Sequence, residues 1–172
     1  MKKLHNSIFK GALMSISKIL KNTLLVMVSA LVLSACASTK KVANQMQGDV
    51  YTGTDTVKYL ASGVPDRVFF ATNESVLTTA SRDTLRKQAN WLRKNSKVNV
   101  VLEGHADERG TREYNLALGE RRANAAKDYL MTYGISGSRI SVISYGKERP
   151  INSGSNPLAW SQNRRSVTIK AN

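Results

Sequence analysis

The chain is 172 residues long, carries a formal net charge of +14, and is 41% hydrophobic but only 6% aromatic. A single cysteine excludes an internal disulfide, and two histidines leave any zinc site to be built almost wholly from carboxylates. So positive a balance points to an anionic partner, but the few aromatics argue against one whose bases must be stacked.

At the start of the chain, Lys18 and Lys21 precede a bare apolar run, Leu24 to Leu33, and Ser34 and Ala35 then lead to Cys36. This is the layout of an export signal. The run supplies about half of the ~20 apolar residues that a membrane-spanning helix needs. Leu33-Ser34-Ala35-Cys36 resembles a bacterial lipobox, in which the cysteine thiol takes a diacylglyceryl group before cleavage just ahead of it. Residues 1–35 therefore read as a lipoprotein signal peptide, complete from either Met1 or Met14, and Cys36 as the lipidation site. Cleavage takes away five lysines and no acids, so 137 residues remain and the balance falls from +14 to +9. Export replaces nucleic acid with an anionic cell-envelope polymer as the expected partner.

Residues 36–66 are rich in Ser, Thr, Lys, Gln and Gly and keep no apolar period, so the stretch reads as a lipidated N-terminus and flexible linker. As a coil it would average ~30 Å end to end and would reach roughly 100 Å when pulled straight. A domain over 67–172 follows. Val68-Phe69-Phe70 predicts a short strand. Thr78 predicts the cap of a helix in which Leu85, Ala89 and Leu92 share a face, ending at Asn95. Val98 to Leu102 predicts a strand buried on both faces. A long helix is predicted over Arg112 to Tyr133, stopped by Gly134. Ile140 to Tyr145 predicts a third strand, Pro157 to Gln162 a helical turn, and Ser166 to Lys170 a last strand. The order β-α-β-α-β-β implies a two-layer α/β sandwich, with helices on one face of a small mixed sheet.

Functional residue types are densest in Gly104-His105-Ala106-Asp107-Glu108-Arg109-Gly110 and on the helix that follows. At 100° per residue, Leu116, Gly119, Ala123, Ala126 and Leu130 form the buried face of that helix, with Asn115, Leu118 and Arg122 beside it. Arg122 is thus expected half-sheltered, near the loop that carries Asp107. Such a pair is either a structural salt bridge or the receptor of a zwitterionic ligand, and spacing alone favours the salt bridge, because structural ion pairs are common. Catalysis is disfavoured. Asp107 and Glu108 are adjacent and should point apart, unlike an opposed acid/base pair, and no serine or cysteine sits in a nucleophile's setting. His105 reads as a loop-packing residue.

GHADERGTREYN over 104–115, LALGERRANAA over 116–126, SYGKERP over 144–150 and QNRR over 162–165 together resemble the OmpA-like peptidoglycan-binding domain, across about 105 residues from Arg67 onward. With a lipobox and linker ahead of it, the chain is similar to the lipid-anchored branch of that family. Flagellar stator subunits and porin tails carry a transmembrane helix or a barrel before the domain instead. The resemblance implies a non-enzymatic protein whose ligand is the meso-diaminopimelate stem of peptidoglycan, with no cofactor and no metal. It implies that Asp107 accepts the ligand's ammonium and that Arg122 forks onto its carboxylate, with Leu118 and Asn115 shaping the pocket and Arg109 beside them. Thr72 and Asn73 occupy the loop after the first strand, where the family usually has Phe-Asp-Phe-Asp and this chain has Phe70-Ala71-Thr72-Asn73. There the family's contacts are largely through the backbone. Ala37 after the cysteine implies sorting to the outer membrane, with the domain facing the periplasm. The implied protein partners are TolB, the periplasmic propeller, and the other Tol proteins, in envelope integrity and constriction during cell division.

Overall fold

The computed structural model describes residues 45–171, so the expected signal peptide, Cys36 and the first part of the expected linker lie outside the described residues. The sheet has four strands in the order β5 (Arg67–Phe69), β8 (Arg165–Lys170), β6 (Val100–His105) and β7 (Ile140–Gly146). β8 runs antiparallel to both β5 and β6, whereas β6 and β7 are parallel. Two long helices, α1 (Thr79–Lys94) and α2 (Arg112–Thr132), and a short one, α3 (Pro157–Asn163), complete the mixed α/β unit.

The period of two along the strands decides which side meets the helices. Val68 on β5, Val100 and Leu102 on β6 and Ile140 on β7 join Leu85, Ala89 and Leu92 of α1 and Ala123, Ala126 and Leu130 of α2 in one apolar core. Thr168 of β8 reaches the same side, where its hydroxyl donates to Gln88 of α1 at 2.7 Å. Both long helices start where a threonine can accept a backbone N–H: Thr78 from Ser81 and Thr111 from Tyr114. α2 stops before Gly134, which takes the left-handed φ of +81° that ends helices.

Two expectations need correction. β6 starts later than the β-branched run and continues to His105, because Glu103 and Gly104 pair with neighbours on both sides despite lacking apolar character. Its outward residues Val101 and Glu103 are only half-buried, so the strand is not buried on both faces, and His105 is a buried strand residue rather than a loop one. The second correction concerns the expected linker. Residues 46–65 form two antiparallel hairpins, β1 (Met46–Gln47) with β2 (Val50–Tyr51) and β3 (Tyr59–Ala61) with β4 (Val64–Pro65). Tyr51, Leu60 and Val64 are buried, and the Tyr51 ring meets Phe69 edge-on at 4.8 Å. A few apolar anchors thus order a polar stretch by docking on the sheet edge, and the compact unit takes in both hairpins.

Candidate functional site

The site lies where β6 ends and α2 begins, and an unusually close helix–strand contact sets its position. A Cβ on Gly104 would overlap the carbonyl of Gly119, and one on Gly119 would lie 2.9 Å from the carbonyl of Gly104. Ser144 of β7 fastens the same spot by donating to the Leu116 carbonyl at 2.6 Å. The first turns of α2 are therefore pressed against the end of the sheet.

The loop between them is held from several sides. Gly110 adopts φ +89°, Asn115 donates to the Arg109 carbonyl at 2.8 Å, and Lys147 donates to the Gly110 carbonyl at 2.7 Å. The two neighbouring carboxylates diverge, as expected. Glu108 accepts from the Trp160 indole at 2.9 Å and from Ser155 at 3.0 Å. Asp107 turns inward and is 7% exposed. Its Oδ1 accepts from the Arg109 amide and Nε, and its Oδ2 from Arg109 Nη2 at 2.7 Å and Arg164 Nη1 at 3.2 Å. Burial alone would push this carboxyl up, but the hydrogen bonds from Arg109 and Arg164 outweigh it and hold its pKa below the ordinary value.

Arg122 departs from expectation. It is 0% exposed rather than half-sheltered. Nε donates to the Glu74 carbonyl at 2.8 Å, Nη1 to the His105 carbonyl at 2.8 Å and Nη2 to the Ala71 carbonyl at 2.9 Å, and the guanidinium lies 5.3 Å from the Phe70 ring. The turn over residues 71–74, with Asn73 at a left-handed φ of 57°, covers it. Among the described residues no carboxylate pairs with it, and burial, with Arg164 nearby, pushes its pKa down to about 10. A guanidinium has five N–H donors, so one on each terminal nitrogen is left without an acceptor among the described residues. Leu118 and Asn115 are buried too, beneath the pocket rather than on its wall.

The pocket itself, about 560 Å³, is lined by Thr72, Asn73, Arg109, Gly110, Thr111 and Tyr114. Arg109 is the cation that faces it, with a side chain 42% exposed, and its guanidinium stacks 4.3 Å from the Trp160 ring. A larger groove of about 620 Å³ between the hairpins and the start of α1 is lined by Tyr51, Tyr59, Pro65 and Phe69 and contains none of the expected site residues. Of the residues around the site, Arg164 and Trp160 were missed as site members. Arg164 lies within the Gln162–Arg165 stretch that carried part of the resemblance, but nothing local reveals that it reaches Asp107. Among the described residues no cluster of His, Cys, Asp and Glu could hold a metal, and no helix is long and apolar enough to cross a membrane.

The model of the OmpA family matches residues 69–164. A peptidoglycan-associated lipoprotein from Rhizobium meliloti is 44% identical over 150 residues, covering 85% of each chain. One from Agrobacterium fabrum is 41% identical over 166 residues, covering 92% of this chain and 93% of its own. The crystal structure of the peptidoglycan-associated lipoprotein from Burkholderia pseudomallei superposes with a TM-score of 0.60 at 32% identity, over 62% of this chain and 90% of that one.

Proposed function

The chain belongs to the OmpA family, and on that premise we propose that it is an outer-membrane lipoprotein, held by lipid on Cys36, that binds the meso-diaminopimelate stem of peptidoglycan without cutting it. The observation that carries this reading is Arg122. An arginine taken wholly out of water normally comes with a carboxylate, because burying an unpaired charge costs several kcal/mol. Here the partner is a carboxylate of the ligand, received by the two N–H groups that have no acceptor among the described residues. Beside it, Asp107 offers the opposite charge to an ammonium. A ligand carrying both groups on one carbon satisfies both residues.

Binding is then an exchange of ion pairs. The ligand's ammonium replaces the Arg109 guanidinium on Asp107, which keeps its bonds from the Arg109 amide and from Arg164. Arg109 swings off along the Trp160 ring, and its departure opens the way for the carboxylate to Arg122. Thr72 and Asn73 form the facing wall, while Leu118 and Asn115 support it from below. The names of the full-length relatives, with their coverage of both chains, support the wall-binding and lipoprotein parts of this reading. TolB and the other Tol proteins are the proposed protein partners, by family likeness.

Co-sedimentation of the protein with isolated sacculi tests the proposal, using diaminopimelate-type and lysine-type walls side by side. Lysine lacks the distal carboxylate, so binding should drop at least tenfold, the loss of about 1.4 kcal/mol or more expected when a buried charge stays unpaired. Equal binding to both walls would reduce the interaction to bulk charge, and release of soluble muropeptides would make the protein a hydrolase. The anchor is checked by fatty-acid labelling, which Cys36→Ser should abolish.

A further inference from the structure

The β1–β2 hairpin contributes a third carboxylate to the neighbourhood of the pocket. Asp49, at its turn, accepts from the Thr72 amide through Oδ2 at 2.6 Å, while its carbonyl accepts from Arg164 Nη2. Its Oδ2 also lies 3.9 Å from that nitrogen. Arg164 is therefore shared, with Nη2 on Asp49, Nη1 on Asp107 at 3.2 Å and Nε on the Phe70 carbonyl at 3.1 Å. Thr72 is shared in the same way, its amide on Asp49 and its hydroxyl accepting from Arg109 Nη2 at 3.3 Å. The Asp49 side chain is 47% exposed, so it is no core residue, and the Thr72 bonds hold its pKa below the ordinary value against the opposing pull of burial.

We propose that Asp49 is a positioning residue of the wall-binding site, holding the 71–74 turn and Arg164 in the places that Asp107 and Arg122 require. This rests on the peptidoglycan reading given above. The turn it fixes supplies the Ala71 and Glu74 carbonyls to Arg122 and contains Asn73 in a left-handed conformation, which asparagine adopts more readily than most residues. Arg122 clamps the turn from inside and Asp49 from outside. Asp49 lies outside the family match, which begins at residue 69, and only thirteen residues after Cys36. Part of the site thus comes from the stretch joining the expected anchor to the domain.

The test uses the full chain with Asp49→Ala and Asp49→Asn. Asparagine keeps an oxygen for the Thr72 amide but loses the charge beside Arg164. Asp49→Ala should weaken binding to diaminopimelate-type walls by about fivefold to tenfold, the worth of one ordinary hydrogen bond at a half-exposed site. Asp49→Asn should recover part of the loss, and neither should weaken the residual binding to lysine-type walls. Hydrogen exchange at the Thr72 amide should quicken in Asp49→Ala while the thermal midpoint stays within a few degrees. Undiminished binding of Asp49→Ala to diaminopimelate-type walls would overturn the proposal, as would an equal fall on both walls or unchanged exchange at Thr72. If the unsubstituted protein shows no preference between walls, the peptidoglycan reading fails, and Thr72 exchange still decides whether Asp49 holds the turn.

Discussion

Lysine in place of Arg122 would keep the charge and lose the plane. Three backbone carbonyls, of Ala71, Glu74 and His105, depend on separate nitrogens of one guanidinium, and a single ammonium cannot reach all of them. Arg122→Lys should therefore cost roughly 2–4 kcal/mol of stability as well as wall binding, read from urea unfolding. An unchanged midpoint would mean that the carbonyls find other donors. His105 makes a different prediction. Burial first, then the charges of Arg165, Arg67 and Arg149, push its pKa down from 6.5 to about 3, so the folded protein holds it neutral. Below pH 6.5 the unfolded chain takes up a proton that the folded chain refuses. Stability contributed by the neutral ring is thus complete above that pH and falls by up to about 1.4 kcal/mol per pH unit as pH drops toward 3. Unfolding measured between pH 6 and pH 5, above the range of the carboxylates, should show this slope, and His105→Gln should flatten it. Asp107 and Arg122 were legible as candidates because both stand in dense motifs. The full burial of Arg122 was not, because the turn that covers it lies about fifty residues earlier in the chain.

Among the elements, α2 has the tightest fit. Its glycine meets a glycine of β6, and Ser144 of β7 binds the same turn, so neither Gly104 nor Gly119 has room for a methyl group. Gly104→Ala meets a backbone carbonyl that cannot step aside. It should cost about 1–3 kcal/mol or more, with a drop in thermal midpoint and a matching loss of wall affinity as the helix is lifted off the loop it orients. Gly119→Ala, whose nearest obstacle is the Ser144 side chain, should cost less. A midpoint unchanged in Gly104→Ala would show that the helix can shift without penalty. Three helix ends were readable beforehand because Thr78, Asn95 and Gly134 carry local capping chemistry. The end of β6 was less so, since Glu103 and Gly104 owe their strand conformation to partners on both sides, and His105 to β7 alone, rather than to their own preference.

At the scale of the whole molecule, composition misleads most over residues 45–66. Their Thr, Gly and Gln content resembles a tether, and no apolar period shows because each hairpin strand has only two or three residues. Order there comes from tertiary contact. Tyr51 lies against Phe69, Gln88 donates to the Pro65 carbonyl at 2.7 Å, and Asp66 forms a two-pronged pair with Arg67 at 2.7 Å on both arms. Lys58 is the informative residue for a protease. Its side chain is exposed, but its amide donates to the Asp66 carboxylate at 3.1 Å and its carbonyl accepts from the Asp66 amide at 2.9 Å. Trypsin needs an extended, unpaired stretch on both sides of the bond it cuts, and cutting after Lys58 would require releasing both contacts together with the β3–β4 pairing. Mass spectrometry of a limited tryptic digest should therefore find a resistant product with the Lys58–Tyr59 bond intact, whereas the urea-unfolded chain should be cut there at once. A resistant core beginning at Tyr59 would detach the first hairpin from the folded unit, and Asp49 with it. Retention of the bond would place the working boundary of the domain ahead of both hairpins, with Asp49 inside it.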